Sequence, residues 1–215
     1  MSEVSIKDQF IERFGFEMFG GMTGPSRIQS SLRFELGVGR DSLTYMITAL
    51  RRFNTIIDDL GFKDRTIGVA AYAYMAAPNE LCRVEPPHQQ LMPFARAIDT
   101  LGGMRFCRSE FLSSKYFDQR TPDFDDELAV HFGTCSFDDG RFLAWLMRHL
   151  IRDYAGHDTP LLMLFDLELG VMVNPYDDRG MDVFGPNREL LSELYKKRNG
   201  WLLDYDRERM QAVYG

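Results

Sequence analysis

The sequence predicts an α+β domain in which a mainly antiparallel sheet carries helices packed on it. Strand-like and helix-like segments are partly segregated along the chain, whereas a doubly wound parallel sheet would need their regular alternation. The C-terminal part places a three-strand meander before two helices, and meanders favour antiparallel pairing. The 215 residues are 45% hydrophobic and 27% charged, as in ordinary globular proteins. We therefore expect residues 1–215 to form a single domain, with an N-terminal helix and loop over 1–30.

The first third of the chain is predicted to fold as helix, strand, helix and strand. Apolar residues recur at helical spacing over 6–14, and apolar and charged residues alternate over 32–36. An amphipathic helix follows Asp41, a typical N-cap, and stops at Gly61. Residues 66–75 are β-branched and aromatic, and they predict a strand that pairs with the first strand.

The middle of the chain predicts an irregular insertion over 78–126. Residues 78–93 contain four prolines and indicate a loop. Within the insertion, residues 94–101 fit a short helix and residues 104–117 fit a strand that runs into a loop. The acidic and polar segment 118–127 is expected to be exposed.

The C-terminal half predicts one more helix, the meander and the two final helices. Glu168-Leu169-Gly170 is a hairpin connection, and Asn187 is placed to cap the helix that follows the meander. The predicted elements are strand 128–132, a helix from Asp138 or Asp139 to Tyr154, strands 161–167, 171–173 and 181–184, and helices 188–198 and 206–214.

Charge and composition narrow the classes of partner. The net charge of −7 argues against general nucleic-acid binding, which needs clustered cations, and it is compatible with a basic protein partner. Apolar runs of the length that spans a bilayer do not occur, and the N-terminus does not have the pattern of a signal peptide. Three widely spaced cysteines predict thiols in a reducing compartment rather than disulfides or zinc sites. A cytoplasmic protein without membrane association is expected.

The first candidate binding site is an acidic turn that precedes the third strand of the meander. Three interpretations stay open. Arg179 can tie a β-turn by an ion pair, with Gly180 supplying a positive φ. The carboxylates can instead bind a cation or a basic partner, or Asp177 and Asp182 can act as paired catalytic carboxylates. The candidate residues are Tyr176, Asp177, Asp178, Arg179 and Asp182.

The second candidate binding site lies between the last two helices. One interpretation is a docking segment, in which Trp201 anchors the final helix on the core and Asp204 or Asp206 caps it. The other is a recognition hot spot, because Trp, Tyr and Arg dominate the binding energy of protein interfaces. The candidate residues are Trp201, Asp204, Tyr205, Asp206 and Arg207.

Patterns for catalysis, metals and cofactors are weak. The four histidines do not form a His-x-x-x-His pair, and Gly37-Val38-Gly39 lacks the third glycine of a dinucleotide fingerprint. His131 and Cys135 fall on one face of a predicted strand, where a buried thiol beside a histidine and a Cys–His nucleophile pair are both conceivable. We expect no catalytic residue, no metal ligand and no cofactor.

Several motifs resemble the bacterial DUF3885 family, a family of domains of unknown function. The resemblance covers roughly residues 30 to 214, and the insertion 78–126 is longer here than in the family pattern. It implies a bacterial domain for which no catalytic residues are assigned. The motifs are Leu32-Arg33-Phe34-Glu35-Leu36-Gly37, Tyr176-Asp177-Asp178-Arg179-Gly180-Met181-Asp182-Val183, Leu194-Tyr195 and Trp201-Leu202-Leu203-Asp204-Tyr205-Asp206-Arg207.

Three functions are compatible with these patterns. The first is a protein-binding domain without enzymatic activity, and its sharpest form is an immunity protein that neutralises a basic bacterial toxin through carboxylates. The second is a structural or regulatory module whose acidic turn holds the hairpin to the last helices. The third is a hydrolase or lyase that uses Asp177, Asp178 and Asp182, with or without a divalent metal. The sequence leaves the oligomeric state open.

Overall fold

The computed structural model of this protein describes residues 6–15, 30–75, 110–113, 127–138, 140–151 and 161–215. These residues confirm the predicted α+β class, because one antiparallel sheet carries helices packed on it. The loop expected before residue 30, the short helix 94–101 and the predicted helix end at Tyr154 lie outside the described residues. Among the helices that are described, none is both long enough and apolar enough to cross a membrane.

The described strands form one seven-stranded sheet with the order β1-β7-β6-β5-β2-β4-β3. Every pair of neighbouring strands is antiparallel. The strands β5, β6 and β7 form the predicted meander, so this part of the topology is confirmed. The strands are β1 (Leu32–Glu35), β2 (Thr66–Met75), β3 (Glu110–Ser113), β4 (Glu127–Ser136), β5 (Leu161–Asp166), β6 (Val171–Asp177) and β7 (Gly180–Phe184).

Five α-helices are described, and short 3₁₀ turns join some of them to neighbouring elements. Asp41 caps α2 through a hydrogen bond from the Thr44 amide to its Oδ1, and Gly61 ends the helix with a φ of 69°. Asn187 caps α4 in the same way, so all three sequence signals are confirmed. The helices are α1 (Ile6–Phe14), α2 (Ser42–Asp59), α3 (Gly140–Leu150), α4 (Arg188–Lys197) and α5 (Arg207–Tyr214).

One predicted strand pairing is wrong. The strand over 66–75 was expected to pair with the strand over 32–36, but β2 lies between β5 and β4. Strand β1 pairs instead with β7, which follows it by almost 150 residues along the chain. Alternation of apolar residues identifies a strand and its buried face, but it carries no information about which strand lies alongside.

The sheet is covered on both faces, and its strands therefore send apolar side chains in both directions. The larger core combines β1, β2 and the meander with helices α2, α3, α4 and α5. On the opposite face, Phe10 and Phe14 of α1 pack against Phe165 and Phe132, with ring centroids of Phe10 and Phe165 4.8 Å apart. Helix α3 is anchored by buried His149, whose Nε2 donates a hydrogen bond of 2.7 Å to the carbonyl of Pro175.

The outer edge of β1 is covered by the C-terminal segment. Leu202 forms an isolated antiparallel bridge with Phe34, and the amide of Leu203 donates to the carbonyl of Arg33 at 2.8 Å. The hydroxyl of Tyr214 donates to the carbonyl of Ser30 at 2.6 Å. A covered edge does not offer its backbone groups to other chains. The same contacts bring the second candidate segment beside the meander.

Candidate functional site

The two candidate segments meet at Arg33, a residue of β1 that the sequence patterns did not single out as a site residue. Its Nε donates to Oδ1 of Asp182 at 2.9 Å, and its Nη1 donates to Oδ2 of Asp206 at 2.7 Å. Its Nη2 lies 3.5 Å from the hydroxyl of Tyr176. We call Arg33, Tyr176, Asp182 and Asp206 the Arg33 cluster. It joins the acidic turn, the edge strand and the C-terminal segment in one network.

The register of the β1–β7 pair explains why Arg33 and Asp182 of the Arg33 cluster lie side by side. Arg33 and Asp182 are directly opposite each other across the β1–β7 pair, where side chains on the same face are neighbours. Leu32 and Phe34, on either side of Arg33, point into the larger core, so alternation turns Arg33 to the other face. The bond between Leu203 and Arg33 then positions the following turn, which delivers the carboxylate of Asp206.

Arg33 and Tyr176 keep their ordinary ionisation states at neutral pH. Burial lowers the pKa of Arg33, but the attraction of Asp182 and the hydrogen bond to Asp206 outweigh it, so this pKa is raised overall. Burial, together with the negative charge of Asp182, raises the pKa of Tyr176 to about 12. Arg33 therefore remains a cation between two carboxylates, and Tyr176 remains a neutral phenol.

The acidic turn itself is held by an ion pair, as one interpretation of the sequence predicted. The backbone amide of Arg179 donates to Oδ1 of Asp177 at 2.8 Å, and its Nε donates to Oδ2 at 2.8 Å. Its Nη2 contacts the same oxygen. Asp177 and its neighbour Asp178 are buried, whereas the side chain of Arg179 is 67% exposed. The turn is thus a fixed structure with its guanidinium on the surface.

The predicted role of Gly180 is wrong. It is not among the described glycines with a positive φ, and it begins β7 in an ordinary strand conformation. Space is the physical reason for a glycine here. A Cβ at this position would lie 2.2 Å from the hydroxyl of Tyr176 and 2.8 Å from the carbonyl oxygen of Phe34. Gly180 allows the Tyr176 ring to lie over the backbone and to reach the Arg33 cluster.

The turn also faces the first part of α2. Burial raises the pKa of Tyr45, and the negative charges of Asp178 and Asp177 add to this effect. The Tyr45 ring occupies the space in which Gly37 would carry a Cβ, at 2.0 Å from the nearest ring carbon. The Gly37-Val38-Gly39 stretch therefore makes room for an aromatic ring.

Arg207 organises the second candidate segment. Its Nη1 donates to the carbonyl of Asn199 at 3.2 Å, its Nη2 donates to the carbonyl of Leu202 at 3.0 Å, and its Nε donates to Oδ1 of Asp204 at 2.8 Å. The expected capping role is wrong for Asp206. It occupies the N-cap position of α5, but its side chain makes no capping hydrogen bond there and binds Arg33 instead. A hydrogen bond from the charged guanidinium of Arg33 is stronger than one from a backbone amide, so the carboxylate of Asp206 binds Arg33.

Trp201 anchors the segment, as the docking interpretation predicted. It packs against the larger core, and two guanidinium groups lie against its ring. The Cζ of Arg198 is 4.7 Å from the ring centroid and the Cζ of Arg52 is 5.3 Å from it, which are cation–π distances. Arg198 is held in turn by Asp59 at the end of α2, with 3.0 Å between its Nη2 and Oδ1 of Asp59.

The ten candidate residues therefore separate by exposure. Tyr176, Asp177, Asp178, Asp182 and Asp206 lie inside or at the edge of the protein. Trp201 and Arg207 are partly buried and support the segment. Arg179, Asp204 and Tyr205 reach the surface, and the side chain of Asp204 is 93% exposed while Tyr205 is 83% exposed.

The arginine partners of Asp177 and Asp182 bear on whether these two residues could act as paired catalytic carboxylates. Asp177 is bonded to Arg179 and Asp182 is bonded to Arg33, so these two carboxylates are paired with different arginines. Acid–base catalysis by two carboxylates needs environments that drive their pKa values apart. Among the described residues, no group of three or more His, Cys, Asp or Glu side chains is arranged to hold a metal ion.

Comparison with known proteins identifies one family model. It is described as a domain of unknown function, DUF3885, and it matches residues 19–206. The match includes the meander, the Arg33 cluster and the exposed Tyr205. No curated protein and no solved structure matches the chain.

Proposed function

Since the chain belongs to the DUF3885 family, whose description assigns no activity, we propose a function from the geometry of the site. It is a non-enzymatic protein-binding domain. In its sharpest form, it is a cytoplasmic immunity protein that binds and neutralises a basic bacterial toxin. No cofactor takes part, and the contact is made by the surface formed by Asp204, Tyr205 and Glu208, which we call the Tyr205 surface.

The single observation that carries this proposal is the exposure of Tyr205 on a rigidly held turn. Tyr205 is 83% exposed, the highest value among the large hydrophobic residues exposed in the described part of the chain. The turn that presents it is fixed by Arg207 on one side and by the Leu203–Arg33 bond on the other. Binding hot spots are rich in tyrosine, and a preorganised segment avoids an entropy cost on association.

Charge supports a basic partner. Asp204 and Glu208 are exposed on either side of Tyr205, and the whole chain has a net charge of −7. An acidic protein attracts a cationic partner over several ångströms, which accelerates encounter and suppresses association with other acidic proteins. Asp204 is partly neutralised by Arg207, so Glu208 and the overall charge supply most of the attraction.

The Arg33 cluster favours a second candidate function, a structural or regulatory module. In that case the cluster only holds the meander to the C-terminal helices, and the exposed tyrosine does not bind another protein. The two candidates differ in one measurement. Both candidates lose stability when Arg179 is replaced by alanine, because Asp177 stays buried without its cation, but only a protein-binding domain loses affinity per folded molecule when Tyr205 is replaced by alanine.

The test uses the product of the gene adjacent to the one that encodes this chain. Co-expression is expected to protect cells from that product, and calorimetry on the purified pair is expected to show a complex. Tyr205→Ala should raise the Kd at least about 30-fold, which corresponds to about 2 kcal/mol for a hot spot. Met147→Ser, which alters an exposed apolar residue on α3, is the matched control and should leave the Kd unchanged.

Absence of protection together with absence of a complex would exclude the immunity function. A complex whose Kd is unaffected by Tyr205→Ala would exclude this surface while leaving the protein-binding class intact. Thermal unfolding of both variants should match the wild type, because both side chains are exposed and surface changes of this kind shift the free energy of unfolding by less than about 0.5 kcal/mol.

A further inference from the structure

Helix α2 carries a second apolar stripe on the side that faces solvent. Its buried side is formed by Ala49, Phe53 and Ile56. Leu43 and Ile47 are nevertheless 64% and 57% exposed, and they are one helical turn apart on the same face. Single exposed apolar residues are common on protein surfaces, whereas contiguous apolar patches mark binding surfaces, and these two residues are contiguous.

Arginines stand at both ends of this pair. Arg51 continues the stripe one turn after Ile47, and Arg40 directly precedes the N-cap of the helix. Both side chains are exposed, and neither makes an ion pair or a side-chain hydrogen bond within the described residues. We call Arg40, Leu43, Ile47 and Arg51 the α2 stripe.

Most other arginines in the described part of the chain are bonded. Arg33, Arg65, Arg179, Arg198 and Arg207 each contact a carboxylate. Within the described residues, the guanidinium groups of this protein are thus mostly bonded to its own carboxylates. Arg40 and Arg51, at the two ends of the α2 stripe, differ from this pattern.

The acids of α2 do not neutralise the stripe. The carboxylate of Asp41 accepts the hydrogen bond that caps the helix and offsets one of the two arginine charges of the stripe. Asp58 is bonded to Lys63 at 2.7 Å, and Asp59 is bonded to Arg198 and Lys197. The face that contains Leu43 and Ile47 is therefore locally cationic in a protein that is acidic overall.

We propose that the α2 stripe docks an acidic amphipathic segment of a partner protein, with apolar side chains on Leu43 and Ile47 and carboxylates on Arg40 and Arg51. Burying these two side chains against apolar groups of the segment favours binding, because it removes apolar surface from water. Arginine binds a carboxylate with two parallel hydrogen bonds, which fixes the register of the segment. This surface is distinct from the Tyr205 surface and has the opposite charge, so it does not depend on the proposed function.

The experiment is a selection of displayed helical peptides on the whole chain. Wild type is used for positive selection and the double variant Leu43→Ser/Ile47→Ser for negative selection. The enriched peptides are expected to carry Asp or Glu on both sides of an apolar pair. For the best peptide, the double variant should raise the Kd at least about tenfold, and Arg40→Gln/Arg51→Gln should do the same. Tyr205→Ala, the control on the other surface, should leave it unchanged.

Four results would overturn the proposal. Enriched peptides could be basic, or their binding could be indifferent to both double variants. The wild-type chain could dimerise in ultracentrifugation and lose this property in Leu43→Ser/Ile47→Ser, which would make a second copy the occupant. A single-stranded oligonucleotide probe could bind through Arg40 and Arg51 without any contribution from Leu43 and Ile47. Circular dichroism and thermal unfolding confirm that each variant is folded.

Discussion

Two short segments of this protein have the same residue types but differ in which of their side chains are exposed. Residues 176–179 read Tyr-Asp-Asp-Arg, and residues 204–207 read Asp-Tyr-Asp-Arg. In the first segment the carboxylates are buried and the arginine is exposed, whereas in the second the tyrosine is exposed and the arginine folds back onto the backbone. Composition therefore does not decide which member of such a segment meets solvent.

The difference follows from the partners that each backbone meets. The first segment ends β6 and leads into β7, so strand pairing on both sides holds its backbone in the sheet. The second lies on a 3₁₀ turn outside the sheet, fixed at Leu203 by the carbonyl of Arg33. Arg33 contacts both segments, at the hydroxyl of Tyr176 in the first and at the carboxylate of Asp206 in the second. The first, inner segment therefore keeps its carboxylates buried in the sheet, whereas the second, outer segment presents Tyr205 to solvent.

The largest expected effect is the loss of the common partner. Arg33→Met removes the cation that Asp182 and Asp206 share, and we expect the free energy of unfolding to fall by about 3 kcal/mol in urea denaturation. Arg51→Met, at an exposed arginine without an ion pair to any described residue, is the matched control and should change it by less than about 0.5 kcal/mol. Equal effects of the two variants would show that the cluster is not a scaffold.

A smaller loss is expected when the inner segment is crowded. Gly180→Ala would place a Cβ against the hydroxyl of Tyr176 and the carbonyl of Phe34, and we expect a loss of about 2 kcal/mol. Gly200→Ala is the control, because the space around that position is open. Denaturation midpoints of the two variants provide the comparison, and a Gly180→Ala protein as stable as Gly200→Ala would mean that Tyr176 moves aside without cost.

The ionisation of Tyr176 gives a smaller effect that depends on pH. Its pKa is raised from 10.0 to about 12, so the folded state binds more protons than the unfolded state between these values. Stability from this group is complete below pH 10 and falls as the pH rises towards 12. Tyr176→Phe should cost less than about 1 kcal/mol at neutral pH and should flatten this alkaline loss. Parallel alkaline curves for the two proteins would contradict the assignment.

The smallest effect is expected in the outer segment. Asp204→Asn weakens an ion pair with Arg207 that is largely exposed, and the free energy of unfolding should change by less than about 0.5 kcal/mol. Asp206→Asn, two residues further along, should cost several times more because that carboxylate is buried against Arg33. Similar losses for the two variants would remove the distinction between inner and outer positions.

Local features of this fold could be predicted because they depend on neighbours in sequence. The caps at Asp41 and Asn187, the stop at Gly61 and the hairpin at 168–170 each involve groups a few residues apart. The Arg179–Asp177 pair belongs to the same class. The exposure of Tyr205 and the inward position of Asp206 could not be predicted, because both depend on a bond to β1, which is remote in sequence.

By itself, the sequence determined the α+β class, most helix and strand positions in the described residues, and the presence of two charged, aromatic segments near the C-terminus. The tertiary structure decided that β1 pairs with β7 rather than with β2, and that Arg33 joins the two segments. The physical reason is that helix periodicity and capping are interactions over three or four residues, whereas strand partners and buried ion pairs are selected by the free energy of the whole assembled core. A charged residue in an alternating strand is therefore visible in the sequence, but its partner becomes visible only when the sheet has formed.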